Sequence, residues 1–262
     1  MRSLNRHASN QVDEENPYWI SFSDIMAGLL VIFVLAAVAL ILELTQKSEQ
    51  WDEAISEIAK AEQVRKDLLR EIEQELNSMN IPVKISDNDT VLRIPEDVLT
   101  FAQGRFDIPD DERSQQNALD IGQVLFKSIV KEERWKYLDT IFVEGHTDPV
   151  PYRNQSIKGN WGLSTFRAIS VWNYWNQEMD EGTRLDALTN HVGKKLFSVS
   201  GYAETRPVPC SIGSTEIVDS SFCPDGVMND DESLRKNRRI DIRFTVRRPA
   251  LEDYQSVKQV LN

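Results

Sequence analysis

The chain has 262 residues, with 42 acidic against 30 basic side chains for a formal charge of −12, and 40% hydrophobic residues including 6 Trp. That length suits one good-sized domain plus further segments, and the apolar and aromatic content excludes wholesale disorder. The acidic balance argues against a nucleic-acid backbone as main partner, because proteins of that kind carry basic stripes.

Residues 1–16 are polar and without periodicity, and read as a tail. From Ile25 to Leu42 the chain carries no charge and no strongly polar group. At about 1.5 Å per residue this run nearly spans a hydrocarbon core of about 30 Å. Ile20 and Phe22 extend the apolar surface, and Tyr18 and Trp19 stand where an interfacial aromatic belt would lie. Residues 17–42 therefore predict one membrane-spanning helix. A cleavable signal peptide is the competing reading, with Arg2 and Arg6 as its basic end and Ala37-Val38-Ala39 as a small-x-small cleavage site. Asp24 at the head of the run, and the continuation past Ala39 to Leu42, speak for the anchor. The flanking charges do not fix its orientation.

Residues 43–81 form a helical linker, since Glu43 to Asn80 is rich in Glu, Lys, Gln, Ala and Leu and lacks Pro and Gly. Trp51, Ile55, Ile58, Glu62, Arg65, Leu69, Ile72, Leu76 and Met79 fall on one stripe at 3-4 spacing. Two readings stay open: a parallel two-chain coiled coil with two charges in its seam, or an amphipathic helix packed on its own domain. Pro82 ends the helix.

Residues 82–248 read as a mixed α and β domain, followed by a tail at 249–262. Val83–Ile85 and Val91–Ile94 alternate around Asp87-Asn88-Asp89, which predicts a hairpin. Gly104 to Pro109 is a loop, and Asp110 to Ile129 has helical spacing. A strand runs from Leu138 to Val143 and ends at Gly145. A helix follows from Trp161 to Met179, with Leu163, Phe166, Ile169, Val171 and Trp172 as its apolar positions, and then a strand from Phe197 to Gly201. Ile240 to Val246 is the clearest period-2 run and predicts a strand with one buried face. Two strands, a βαβ unit and a returning edge strand predict a compact α+β sandwich.

Two groups of residues carry function. The first is Asp24, since an ionised carboxylate facing lipid costs about 3 kcal/mol and such residues face protein or a water path instead. Its plainer role is to cap the helix from the interface, shared with Ser21 or Ser23. The second comprises four blocks: Val143-Glu144-Gly145-His146-Thr147-Asp148, Asn160 to Ala168, Gly201 to Pro207, and Asn237 to Ile242. His146 reads as a strand-end packing residue, with no second His at metal spacing. Asn160 and Ser164 each have a plain helix-cap alternative. The absence of a nucleophile–base pair, phosphate loop or metal set points away from an enzyme and from a cofactor.

The segment Trp19 to Phe33, with Asp24 five residues after Trp19, resembles the membrane helix of MotB-type flagellar stator subunits. The resemblance implies that Asp24 is the proton-carrying group and that the N-terminus is cytoplasmic. The four later blocks resemble the OmpA-like peptidoglycan-binding domain and cover most of residues 83–248. This implies a βαβαβ-type sandwich with a cleft for the diaminopimelate-bearing stem peptide, formed by Thr147, Asp148, Asn160, Leu163, Ser164 and Arg167. The chemistry agrees: the planar fork of Arg167 suits the ligand carboxylate and Asp148 suits its ammonium.

The segment Ser21 to Leu29, the short tail and the acidic helix after the membrane run resemble most the ZorB-type subunits of Zorya anti-phage systems. That implies a proton-driven stator subunit in the bacterial inner membrane with its C-terminal domain in the periplasm. The implied partners are a second copy, a ZorA-like multi-span membrane protein in a 5:2 complex, peptidoglycan and protons, with no direct nucleic acid. A flagellar MotB-like subunit and a passive peptidoglycan anchor are the rival readings. In the periplasm Cys210 and Cys223 can form a disulfide contributing about 3 kcal/mol, with two free thiols as the alternative. Asp225, Asp230, Asp231 and Glu232 offer carboxylates to a Ca²⁺, but they lack regular calcium-loop spacing, and a solvated acidic turn is the favoured of the two readings.

Overall fold

The computed structural model describes residues 17–208, 211–212, 215–216 and 231–248. The tails at 1–16 and 249–262, Cys210, Cys223, Asp225 and Asp230 lie outside the described residues.

Helix α1 runs from Pro17 to Ser78, so the apolar run and the linker form one element of 62 residues. An 18-residue window within it reaches a mean hydropathy of 3.1, which makes it long and apolar enough to cross a membrane. The described residues divide into two compact units inside α1, between Ile55 and Ser56. In the first unit the large apolar side chains from Phe22 to Leu44 are exposed, as contact with lipid requires. Trp19 meets Phe22 edge-on, with ring centroids 6.2 Å apart.

In the second unit the remaining part of α1 is a wall of the core. Ala61, Leu68, Leu69, Ile72 and Leu76 are buried there, so the packed-helix reading describes the stripe from Ala61 to Leu76. The exposed remainder of the stripe is Trp51, Ile55, Ile58 and Met79. Its two charged members are satisfied locally. The Arg65 guanidinium forks onto Glu62 and donates from Nε to the Asp89 carbonyl at 3.0 Å. Past Ser78 the amide of Ile81 bonds back to the Leu76 carbonyl at 3.0 Å, Asn80 takes a positive φ, and Pro82 prevents continuation.

The expected hairpin is β1 (Lys84–Ser86) and β2 (Val91–Pro95), turning through Asp87, Asn88 and Asp89, all at positive φ. Helix α2 (Glu112–Val130) starts at Asp111, whose side chain accepts from the Ser114 amide at 2.8 Å. Strand β3 (Leu138–His146), helix α3 (Gly159–Glu178) and strand β4 (Phe197–Gly201) form a parallel βαβ unit. Among the described residues strands β5 (Ser211–Ile212) and β6 (Thr215–Glu216) pair with each other, and α4 (Asp231–Asn237) leads into β7 (Arg239–Val246).

The main sheet has the order β1-β2-β7-β3-β4. This corrects the expectation that the last strand returns to an edge: β7 is inserted between β2 and β3, antiparallel to both. A second correction concerns its faces. Ile240, Ile242 and Phe244 fill the core, but Arg239 and Asp241 on the opposite face are buried as well. Only a central strand, flanked on both sides, can supply the partners such charges need.

On α3 the core positions are Leu163, Ala168, Val171 and Trp175, whereas Phe166 is exposed. Trp175 is fully buried and donates from Nε1 to the Ala118 carbonyl at 2.7 Å. The helix lies unusually close to the sheet. A Cβ added to Gly145 would stand 1.9 Å from the Ser164 carbonyl oxygen, and one added to Gly201 would stand 2.2 Å from Thr165 Oγ1. Gly145→Ala must push α3 off β3 and is expected to destabilise the domain by about 2 kcal/mol or more, read as a fall in thermal midpoint.

Candidate functional site

The C-terminal end of β3, the loop after β2 and the start of α3 enclose a cleft of about 410 Å³. Thr147 and Asp148 enter it from the loop just after β3, Leu163 and Arg167 from α3, and Glu96 and Phe101 from the segment after β2. Arg238, just before β7, closes one side together with Leu234 of α4. Five of the six residues named from sequence line this cleft: Thr147, Asp148, Asn160, Leu163 and Arg167. Ser164 stands apart. It is fully buried, and its hydroxyl donates to the Trp161 carbonyl and accepts from the Ala203 amide, both at 3.0 Å.

Asn160 lies in the first turn of α3, after the N-cap residue Lys158, and organises the loop before it. Its Oδ1 accepts from the Tyr152 amide at 2.9 Å, while Nδ2 donates to the Val150 carbonyl at 3.2 Å and to Glu204 at 3.0 Å. Tyr152 in turn donates its hydroxyl to the Gly104 carbonyl at 2.9 Å, tying the two loops of the cleft together. Gly104 sits at φ +69°, where an added Cβ would also meet the Tyr152 ring at 2.9 Å.

Arg167 is held in the wall of the cleft. Its Nε donates to the Arg105 carbonyl at 3.0 Å, and its guanidinium lies over the Phe101 ring, 5.1 Å from the centroid. Its two terminal nitrogens make no hydrogen bond among the described residues. Burial works against its charge, and Glu96 and Asp148 support it. Thr147 is buried too, and its hydroxyl has no partner among the described residues. The cleft therefore presents a guanidinium fork with bonding capacity in hand, while the Thr147 hydroxyl lies buried in its wall.

Sequence reasoning missed the acidic and basic pair that shapes the rest. Arg238 forks onto Glu96 from Nε and Nη2 at 2.7 and 2.8 Å, and reaches Asp148 from Nη1 at 2.7 Å. The bond to Glu96 above all holds the Arg238 pKa above its ordinary value. The signal was present only as the Asn237-Arg238-Arg239 block, whose partner lies 142 residues away.

Beside the cleft, the face of the sheet away from α3 carries a row of paired charges. Asp241 accepts from Arg93 at 3.1 Å and from Arg239 at 2.9 Å, and Glu144 accepts from Arg243 at 2.9 Å. Burial pushes the Asp241 carboxyl up, but Arg239 and Arg93 outweigh it and hold the group below its usual range. His146 ends this row, 1% exposed, stacked on Tyr202, with Nε2 3.5 Å from Asp241. This is the packing role expected for it.

Burial, reinforced by Arg239, drives the His146 pKa down to about 3. The folded state keeps it neutral while the unfolded chain protonates below about 6.5. The unfolded state thus binds more protons across that window, and stability falls as pH drops from about 6.5 toward 3. In His146→Gln the slope of stability against pH between 6.5 and 4 is expected to be shallower by about 1 kcal/mol per pH unit, measured by denaturant unfolding.

Comparison with known proteins places this geometry in context. Residues 100–209 match the model of the OmpA family. The chain is 37% identical over 68 residues to motility protein B of Bacillus subtilis, covering 26% of this chain and 22% of that protein. It is 25% identical over 140 residues to the Zorya protein ZorB of Escherichia coli, covering 52% of this chain and 53% of ZorB. The matched regions thus span about half of one relative and about a fifth of the other. Among solved structures, a MotB-like protein from Desulfovibrio vulgaris aligns with 72% of this chain and 99% of its own, at 18% identity and a TM-score of 0.46. By its family match and its sequence relatives the chain is ZorB- and MotB-like, with an apolar N-terminal helix followed by an OmpA-like α/β domain.

Proposed function

We propose that this ZorB- and MotB-like chain is a stator subunit that anchors an ion-driven inner-membrane complex to peptidoglycan. The observation that carries the anchoring role is the cleft: Arg167, with its terminal nitrogens unbonded among the described residues, and the carboxylate of Asp148 line one cavity. A diaminopimelate-bearing stem peptide presents a carboxylate and an ammonium on one end group, and these match Arg167 and Asp148 in charge and bonding capacity. Leu163 and Phe101 supply apolar surface for the chain between them. Thr147, Asp148, Asn160, Leu163 and Arg167 bind or shape the ligand, and Ser164 positions α3 behind them.

In this reading α1 crosses the inner membrane once, with the N-terminus in the cytoplasm and the OmpA-like domain in the periplasm. Asp24 is the proton carrier, since a carboxylate within an apolar helix is retained where it serves an ion path. One helix cannot enclose such a path, so the chain works as a dimer within a ZorA-like multi-span partner, in the 5:2 arrangement its resemblance implies. The exposed stripe of Trp51, Ile55 and Ile58 suits contact between the two copies. The likeness to ZorB supports a role in anti-phage defence, and the likeness to motility protein B supports a flagellar stator as the second reading.

Arg167→Ala is expected to lower capture of the full-length protein by purified sacculi at least tenfold, with thermal unfolding recorded alongside to separate binding from folding. Undiminished capture would remove the wall-binding role of the cleft. Asp24→Asn keeps size and hydrogen bonding but cannot titrate, so it should insert and assemble normally yet abolish protection in a plaque assay on cells carrying the whole system. Full protection at normal membrane abundance would leave the passive anchor as the better account.

A further inference from the structure

The wall-binding reading requires Asp148 to receive an ammonium, yet Asp148 already has a cation. Arg238 Nη1 donates to its Oδ2 at 2.7 Å, and the Val150 amide donates to its Oδ1 at 3.0 Å. What keeps this from being a closed ion pair is Glu96. It takes the Nε and Nη2 edge of Arg238 at 2.7 and 2.8 Å and turns the guanidinium so that Asp148 meets it through Nη1 alone, with one hydrogen bond instead of a fork. Each carboxylate oxygen has about two acceptor positions, so Asp148 retains capacity for a second donor on both oxygens.

We propose that Glu96 is a specificity-determining residue of the cleft: by clamping Arg238 it keeps Asp148 open to a ligand ammonium, and so tunes the cleft to a zwitterionic amino-acid end rather than to a plain carboxylate. This rests on the wall-binding reading and refines it. With Glu96 present the cleft holds two carboxylates, Glu96 and Asp148, against two guanidiniums, Arg167 and Arg238, and is charge-balanced. Arg235 lies 4.0 Å from Glu96, but it is mostly exposed and pairs at 3.5 Å with Asp97, so it does not alter that balance inside the cleft.

Neutralising Glu96 has two consequences that follow from geometry. Arg238 is freed to turn its planar fork onto Asp148, and bidentate guanidinium–carboxylate pairing occupies the acceptors an ammonium needs. The cleft also gains a net positive charge, which favours a ligand bearing carboxylate alone. Affinity for the zwitterion falls and discrimination against the simple dicarboxylate is lost. Glu96 is 14% exposed on its side chain, as is Asp148, so both act in a partly desolvated setting where such pairing is strong.

The test uses the full-length protein in detergent and titration calorimetry with two probes, meso-diaminopimelate and pimelate, which share a carbon chain and differ in the amino groups. The wild type is expected to prefer diaminopimelate at least tenfold. Glu96→Gln should weaken diaminopimelate about tenfold and bring the two probes to within about threefold of each other. Adding Arg238→Gln to Glu96→Gln should restore the preference, because no guanidinium then masks Asp148; a merely structural role for Glu96 would give no such rescue. Arg238→Gln alone should keep the preference, a result that does not depend on the folding of the Glu96 variant. Unchanged discrimination in Glu96→Gln, or loss of the preference in Arg238→Gln, would overturn the assignment while leaving sacculus binding by the wild type intact. Failure of the wild type to bind either sacculi or diaminopimelate would overturn the wall-binding reading and this inference with it.

Discussion

The cleft depends on how closely α3 lies against the sheet. Gly145 and Gly201 leave no side chain between the strands and the backbone of Ser164 and Thr165, and the Ser164 hydroxyl completes the join by accepting from the Ala203 amide. That contact fixes the height of the helix over the ends of β3 and β4. Leu163 and Arg167 are one turn apart on its face, so both are delivered to the same cavity. Asp148 is delivered by the first residues after β3, three positions past the glycine that permits the approach. The guanidinium and the carboxylate are set by one rigid contact between a helix and a strand, which is the kind of support that a precise binding geometry requires.

A second feature is how much charge the domain buries. Asp241 and Glu144 are each about fully enclosed; Asp241 is matched by Arg93 of β2 and by Arg239 of its own strand, and Glu144 of β3 by Arg243 of β7. Such pairs add little net stability over apolar replacements, because desolvation offsets most of their attraction. They do impose register. A one-residue slip of β7 would place Ile240 and Ile242 among the arginines and Asp241 in the core. The antiparallel insertion of β7 between β2 and β3 is thereby specified on both faces, and the position of Arg238 at its entrance follows from that register.

Local pattern made much of this legible. The hairpin around Asp87 to Asp89, the helix over 110–129, the strands at 138–143 and 197–201 and the helix at 161–179 were readable from periodicity and punctuation, to within a few residues of their ends. The blocks ending in Thr147-Asp148 and starting at Asn160 pointed to residues that do share one cleft. Three things were not readable, each for a tertiary reason. The place of β7 depends on strand pairing far apart in the chain. Burial of Trp175 rather than Phe166 depends on which side of α3 meets the sheet and α2. Arg238 and Glu96 find each other only because the entrance of β7 lies beside the end of β2.

The last part of α1 bears on how an anchor of the proposed kind could carry load. From Ala61 to Leu76 this helix is no loose connector, since Leu68, Leu69, Ile72 and Leu76 are buried with the residues of the sheet and α2. Its outer side is fastened by Glu71 to Arg134 and Lys131, by Glu75 to Lys127, and by Glu57 to Arg247 just after β7. Exposed pairs of this sort contribute at most about 1 kcal/mol each. The burial of four large aliphatic side chains contributes more, at about 1.5–3 kcal/mol apiece. Tension arriving along the helix would therefore be met by core packing, with the ion pairs resisting rotation about the helix axis. A subunit that holds a motor against the cell wall needs that resistance, because torque reaching a flexible tether would be dissipated before it reached the peptidoglycan.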